Sequence, residues 1–388
     1  MTRLDPAALA REQLARDKAA TRRRPELFAR KLARMTATPF ALLRGSAQLY
    51  YDVLDRAPEL CPNVGGVGWV VGDAHVENFG AFQPDSGEPV FDLNDFDEAA
   101  IGPHWLDALR LATSVLLAGR EFGADGPRAL GVTTEMLEAW REHASARARM
   151  PPVPREVARL LATVASRKEK DLLRGRVERA RGKPRFIRGT RYLPLPEPLA
   201  RAAPGALAQY VASLPKALRP RDKHLEVEDC AWRVAGTGSL GKVRIAILAR
   251  GKRAPWIFDM KEQGAPAGGG RVEAPVQGAA RVIAGARACV AKAPRGMGAT
   301  TLGRLSMLVR RLSPVEDKLD LARVAPSDLD GLFRYLGAVL GAAHRRGATK
   351  PGRVSAADTK AVLARAITFA GLHEAAYLAY CALARDAR

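Results

Sequence analysis

The sequence predicts an α+β fold in which a small antiparallel β-rich unit is flanked by helix-rich segments. Three observations predict it: helical periodicity dominates up to about residue 220, strand-like alternation takes over in CAWRV, VRIAILA and WIFDMKE, and helical periodicity returns at 276–293, 328–346 and 356–386. A chain of 388 residues has room for two or three domains or one large two-lobed unit. The boundaries read from these changes are N-terminal helices over 1–60, a helical lobe carrying polar loops over 61–225, a β-rich lobe over 226–312, and C-terminal helices over 313–388 that complete the helical lobe.

Residues 7–35 read as helix with a break at Pro25, because Leu27, Phe28, Leu32 and Met35 recur at helical spacing. Thr38 followed by Pro39 is an N-cap with a first-turn proline, so another helix starts there. GVGWVVGD, ending at Asp73, reads as a buried strand, and 78–97 as a hairpin in which QPDSGEP supplies the turn residues. Residues 105–122 are helical again, and helices continue to about 220 with breaks at PPVP (151–154) and in the basic stretch 167–191. A β-meander follows, with a turn at ARGKRAP; RLSMLVRRL (304–312) is strand-like, and helices finish the chain.

Net charge is +21, which attracts nucleotides, phosphorylated metabolites, nucleic acids or anionic lipid surfaces without choosing among them. Residues 167–191 hold eleven Lys/Arg against three acids; the glycines and proline there suggest a solvated face or loop, with an anion-binding surface as the alternative. Only Phe186 and Tyr192 accompany these charges, too little for base stacking, so nucleic-acid binding has no reading motif behind it. No run of eighteen apolar residues occurs, and the charged N-terminal segment lacks the apolar core of a signal peptide; a cytoplasmic location without membrane contact is the expectation. Cys61, Cys230, Cys289 and Cys381 are scattered singly, which argues for buried thiols and against a disulfide framework or a zinc site.

Chemistry concentrates in three segments. In VGDAHVENFG a strand delivers Asp73 into a tight loop where its carboxylate accepts the proton of an attacking hydroxyl, and Asn78 returns five residues later as a neutral oxygen ligand for magnesium. His75 orients that loop by hydrogen bonding. In VFDLNDFDEAA, the acids Asp92, Asp95, Asp97 and Glu98 crowd one segment, and their repulsion is relieved by a cation. Asp95, after the second hairpin strand, is the metal ligand expected to meet Asn78, and Asp92 takes that role in the other hairpin register. In AGTGSLGKVR, Gly236, Gly238, Ser239 and Gly241 form a GxGxxG whose amides approach phosphates, and Lys261 on the next strand reaches the α- and β-phosphates. A strand after the last glycine, where a dinucleotide fingerprint has a helix, selects a phosphate-covering hairpin. The competing readings are an Asx-type turn, a solvated acidic turn and a glycine-rich hairpin without ligand.

The segments TPFALLRG, VGDAHVENFG, FDLNDFDEAAIG with Trp105 and Asp107, AGTGSLGKVR with the later KE, and LGAAHRRG together resemble an uncharacterised bacterial family catalogued as domain of unknown function 2252. The loops are similar to those of aminoglycoside phosphotransferases and protein kinases. That resemblance implies a two-lobed protein-kinase-like fold that uses ATP, or another nucleoside triphosphate, with Mg2+. It also implies circular permutation, because the glycine loop and lysine follow the Asp73 loop, and LFRYLGAVLGAAHRRGATK (332–350) resembles the helix that normally leads into the catalytic loop. Asp107, twelve residues after Asp95, resembles a downstream structural aspartate. One departure concerns the helix 276–293, expected to pair the lysine, which has no acid. Either Glu262 or Glu273 substitutes, or Lys261 is unpaired, while Arg281 and Arg287 on that helix face phosphates or solvent.

The expected function is an ATP/Mg-dependent phosphotransferase acting on a small-molecule or protein hydroxyl. The alternatives are a nucleotide-binding pseudokinase, a nucleotidyl transferase with the nucleotide turned round, and an anion- or nucleic-acid-binding protein resting on charge alone. A surface at +21 repels polycations, so a neutral or anionic acceptor is expected. His104 and Arg44 read first as packing residues, with acceptor-site groups as the alternative.

Overall fold

The computed structural model describes residues 4–85, 87–219, 225–251 and 254–387; Ser86 of the QPDSGEP turn and Lys252 and Arg253 of the ARGKRAP turn lie outside them. Helices α1 (Pro6–Ala20) and α2 (Glu26–Met35) flank the break at Pro25. Helix α3 (Pro39–Gly45) starts on Thr38, whose hydroxyl accepts from Ala41 N at 3.0 Å. After α4 (Ala47–Arg56) come strand β1 (Val67–Val70), the hairpin of β2 (Phe79–Phe82) and β3 (Val90–Leu93), and β4 (Ala100–Pro103). Helices α5 (Trp105–Ala118), α6 (Gly126–Ser145), α7 (Arg155–Ser166) and α8 (Glu169–Leu173) follow.

The basic stretch is more regular than the loop its composition suggests. Strands β5 (Val177–Ala180) and β6 (Lys183–Phe186) pair across Arg181 and Gly182, both at positive φ as a two-residue hairpin turn requires. Phe186 is buried while Arg181, Lys183 and Arg185 stay exposed, so a single apolar anchor left almost no pattern to read. Strand β7 (Tyr192–Leu193) and helix α9 (Glu197–Ser213) lead into the meander of β8 (Val227–Arg233), β9 (Arg244–Ala249) and β10 (Trp256–Glu262). Helix α10 (Gly278–Cys289), strands β11 (Gly298–Leu302), β12 (Leu305–Arg311) and β13 (Asp317–Lys318), helix α11 (Leu329–Gly347), strand β14 (Ala348–Lys350) and helix α12 (Ala356–Asp386) complete the chain.

The result is a mixed α+β fold with antiparallel sheets. The main sheet has the order β11-β12-β10-β9-β8-β7, and the small sheets β14-β1-β4 and β13-β2-β3 carry the polar loops. Alternation along the main strands sorts the side chains by face. Ile245, Ile247, Met260 and Val309 pack beneath α9, against Leu207 and Tyr210. Arg244, Asp259, Lys261 and Arg310 occupy the opposite face, toward a cavity. The helices form a second core in which both ends of the chain meet: Tyr380 Oη donates to Asp17 Oδ2 at 2.8 Å.

The N-terminal helices grip the glycine loop between β8 and β9. Lys31 Nζ donates to Gly238 O at 3.4 Å and Arg34 bonds the carbonyl of Gly236. Gly241 has φ 96°, and a Cβ there collides with the carbonyl oxygen of Ala20 at the end of α1. Backbone strain and overpacking therefore combine in Gly241→Ala, which is expected to lose about 2–4 kcal/mol, read as a lower midpoint of urea unfolding.

Candidate active site

Asp73 leaves β1 over Gly72, whose φ of 81° and contact with the Glu98 carbonyl leave no space for a side chain. The loop is held from the helical side. Asp107 in the first turn of α5 accepts from Val71 N at 2.6 Å and Gly72 N at 2.9 Å. His344 Nδ1 accepts from Trp140 Nε1 at 2.9 Å, so Nε2 carries the proton and donates to Asp107 Oδ2 at 3.0 Å. The end of α11 is thereby joined to the Asp73 loop, and β14 pairs with β1. His104 stacks on His344 with ring centroids 4.5 Å apart and does not line the cavity, so its place is in packing.

Asp73, His75, Asn78 and Asp95 line one cavity of about 690 Å³ together with Gly236, Gly238, Ser239 and Lys261. Three stretches far apart in sequence thus converge. Gly241 is not among the lining residues and instead abuts α1. Asp92 is outside the cavity as well: it accepts from Leu93 N at 2.8 Å and Ala291 N at 3.0 Å, 3.7 Å from Arg346.

Arg110 Nε donates to Asp73 Oδ1 at 2.5 Å, while Oδ2 makes no hydrogen bond among the described residues. Burial pushes the Asp73 carboxyl up to about 7; Arg110 opposes the rise and Glu98 and Asp95 add to it. His75 Nδ1 accepts from Glu77 N at 3.2 Å, capping the turn 76–78. Burial, then Arg44, Lys318 and Arg110, hold its imidazole well below the usual range and therefore neutral. Asn78 Nδ2 donates to Asp73 O at 2.7 Å, which leaves its amide oxygen unspent.

Among the described residues no group of three or more His, Cys, Asp or Glu side chains could hold a metal. Magnesium does not need one, since it binds through one or two protein oxygens and fills its octahedron with water and phosphate. The Asp95 carboxylate has no ion pair within 4 Å among the described residues; it accepts from Asp97 N at 3.4 Å, and the charges of Lys318 and Arg310 reach it from farther off. Asn78 and Asp95 both line the cavity, and their side-chain oxygens are hard donors of the type that cation takes.

Lys261 forms an ion pair with Asp97, which also accepts from Gln263 Nε2 at 2.8 Å. This corrects the expectation of Glu262, Glu273 or no partner. Glu262 instead receives Val243 N at 2.8 Å and pairs with Arg23 at 2.8 Å, and Glu273 bridges Ile101 by backbone. Burial pushes the Asp97 carboxyl upward, yet Lys261 outweighs it and brings it down to about 2. Arg281 on α10 faces neither phosphate nor solvent: fully buried, it donates to the carbonyls of Ala99, Asp97 (2.7 Å) and Gly264 (3.1 Å). Arg287 is exposed. The helix without an acid thus holds the segment that carries one. Asp97 was legible as the second acid of DFD, but nothing in the sequence tied it to a lysine 164 positions away.

The sheet side of the cavity is charged and mostly self-compensated. Arg244 chelates Asp259 at 2.9 and 2.5 Å, and Arg310 pairs with Glu316 at 3.2 Å. Burial pushes Asp259 upward, but Arg233 and Arg244 hold it well below the carboxylate range. Lys242, after the glycine loop, and Lys318, on β13, line the cavity without an ion-pair partner among the described residues. Desolvation lowers Lys318, while the carboxylates of Asp95 and Glu77 act against that fall.

A family model described as an uncharacterized protein conserved in bacteria (DUF2252) matches residues 23–382, and the chain belongs to that family. No curated protein and no solved structure matches it.

Proposed function

We propose that this DUF2252 member is a nucleoside-triphosphate- and Mg2+-dependent phosphotransferase with a permuted, kinase-like two-lobed fold. The observation that carries the reading is the convergence of Asp73, Asn78, Asp95, the glycine loop and Lys261 on one cavity. The order within the sheet supports it: the glycine loop joins β8 and β9, Lys261 is on the next strand β10, and α10 follows, which is how kinases arrange the phosphate loop, the lysine and its partner helix. Asp107 beneath the Asp73 loop supports it as well.

In this reading Asp73 takes the proton of the acceptor hydroxyl through its free Oδ2, and Arg110 keeps the carboxylate turned into the cavity. Lys261, steadied by Asp97, positions the phosphates, and Lys242 and Lys318 balance their charge. Asn78 and Asp95 would hold Mg2+, which would supply charge neutralisation at the transferring phosphates. The acid-free helix α10 favours a second reading, a nucleotide-binding protein without catalysis. Against it stands Asp97, a carboxylate partner for Lys261 from another segment.

The test is nucleotide binding by titration calorimetry with and without Mg2+. Wild type is expected to bind ATP at least about tenfold more tightly with the metal, and Asp95→Ala to lose that difference, a change of about 1.4 kcal/mol. Metal-independent binding that is the same in both proteins overturns the assignment.

A further inference from the structure

We infer that the cavity wall built by α1–α4 is the acceptor subsite and that it selects a neutral, polyhydroxylated small molecule; the inference rests on the phosphotransferase reading of the same cavity. The wall borders both reacting partners. Arg110, which holds Asp73, also donates to Leu43 O at 2.8 Å, and Arg44 pairs with Glu77 of the Asp73 loop at 2.7 Å. From the other side the glycine loop leans on the same corner, since a Cβ on Gly238 would stand 3.6 Å from Arg44 O and 3.7 Å from Gly45 O. The corner 44–48 therefore lies between the carboxylate that receives a proton and the loop that covers phosphates, where an acceptor hydroxyl must enter.

The chemistry of the wall identifies the acceptor class. Its charges are already paired: Lys31 with Asp17 at 3.0 Å, Arg16 with Asp52 at 2.5 Å and Arg44 with Glu77 at 2.7 Å. An anionic or cationic acceptor has to break one of these pairs, which leaves the other member uncompensated. What the wall leaves without a partner is Gln13 Oε1, an acceptor, and Arg44 Nε, a donor. Gln13 lines the cavity at 4% exposure; its Nε2 is spent on Asp17 at 2.9 Å and its Oε1 has no partner. Gln48, also lining, uses Nε2 on Asp52 at 3.2 Å. A buried acceptor atom without a donor is costly, and hydroxyl groups of a polyol supply donors without bringing charge.

The experiment uses the full chain and five probes: myo-inositol, glucose and ribitol as neutral polyols, glucose 6-phosphate as the anion and kanamycin as the polycation. Binding is read by calorimetry without nucleotide, and transfer by label from ATP carrying the γ-phosphate tracer. At least one polyol is expected to bind and to be labelled, and Gln13→Leu to raise its KM at least about tenfold, equivalent to 1.4 kcal/mol, with kcat and ATP affinity unchanged. Gln48→Leu, at an exposed position, gives the same split if Gln13→Leu fails to fold. Selective binding of the anion or the polycation, polyol binding indifferent to both substitutions, or no polyol binding while metal-dependent ATP binding is intact overturns the subsite alone. Polyol binding that Gln13→Leu abolishes, without transfer to any probe, upholds the subsite and overturns the phosphotransferase reading.

Discussion

Asp73→Ala is expected to lower ATP turnover, to water or to an acceptor, by about 10²–10⁴-fold, with Mg2+-dependent ATP affinity unchanged. The loss falls on turnover because Asp73 contacts no proposed metal ligand through its carboxylate: only its backbone oxygen meets Asn78 Nδ2, and alanine keeps that. The pH profile is a second, independent signature. Burial brings Asp73 up to about 7, so below that pH the carboxyl is protonated and cannot accept a proton; the rate rises with pH through about 7 and then levels. Arg110 lowers this value, so Arg110→Met moves the midpoint to higher pH, with Glu98 and Asp95 still adding to the rise. Asp97, at about 2, and the neutral His75 do not titrate in that window. Wild-type turnover in Asp73→Ala, measured by single-turnover kinetics at pH 8, removes Asp73 from the role of base.

Asp97→Asn is expected to lower kcat/KM for ATP by about 10²-fold, near 2.7 kcal/mol, and to reduce unfolding free energy by up to about 3 kcal/mol. Asparagine keeps the hydrogen bond to Gln263 but leaves the Lys261 ammonium without its carboxylate in a nearly enclosed place. Asp97→Glu is expected to restore part of the kinetics. The acid limb of stability supplies the sign: the folded carboxyl is depressed to about 2, so its contribution is present above the unfolded value of 3.8 and is lost as pH falls toward 2. Asp97→Asn lacks that limb. If ATP kinetics in Asp97→Asn match wild type while Lys261→Ala is impaired, Lys261 works without Asp97 and the pairing is only structural.

Much of the fold was legible because the long elements carry strong local patterns. The break at Pro25, the cap at Thr38, the strand before Asp73, the meander after 226 and the helices of the last third all follow from periodicity and turn chemistry. Short or weakly apolar strands were not. GATTL of β11 and the basic hairpin of β5 and β6 owe their strand state to partners, one to β12 and the other to each other and a single buried Phe186.

By itself the sequence determined which residues have the right chemistry: an aspartate and an asparagine five positions apart, an aspartate after a hairpin, a glycine loop and a lysine. Only the tertiary structure decided where they stand relative to one another. Asp92, within the hairpin, stays outside the cavity while Asp95, two residues past its end, lines it, and the pairing of Asp97 with Lys261 on β10 supplied the partner that α10 lacks. Close backbone contact, not phosphate, accounts for Gly241, and the N-terminal helices closed one side of the cavity. Local spacing fixes what one element presents. Pairings across 164 or 237 positions, such as Lys261 with Asp97 or His344 with Asp107, depend on which faces meet after collapse, and no local pattern encodes that.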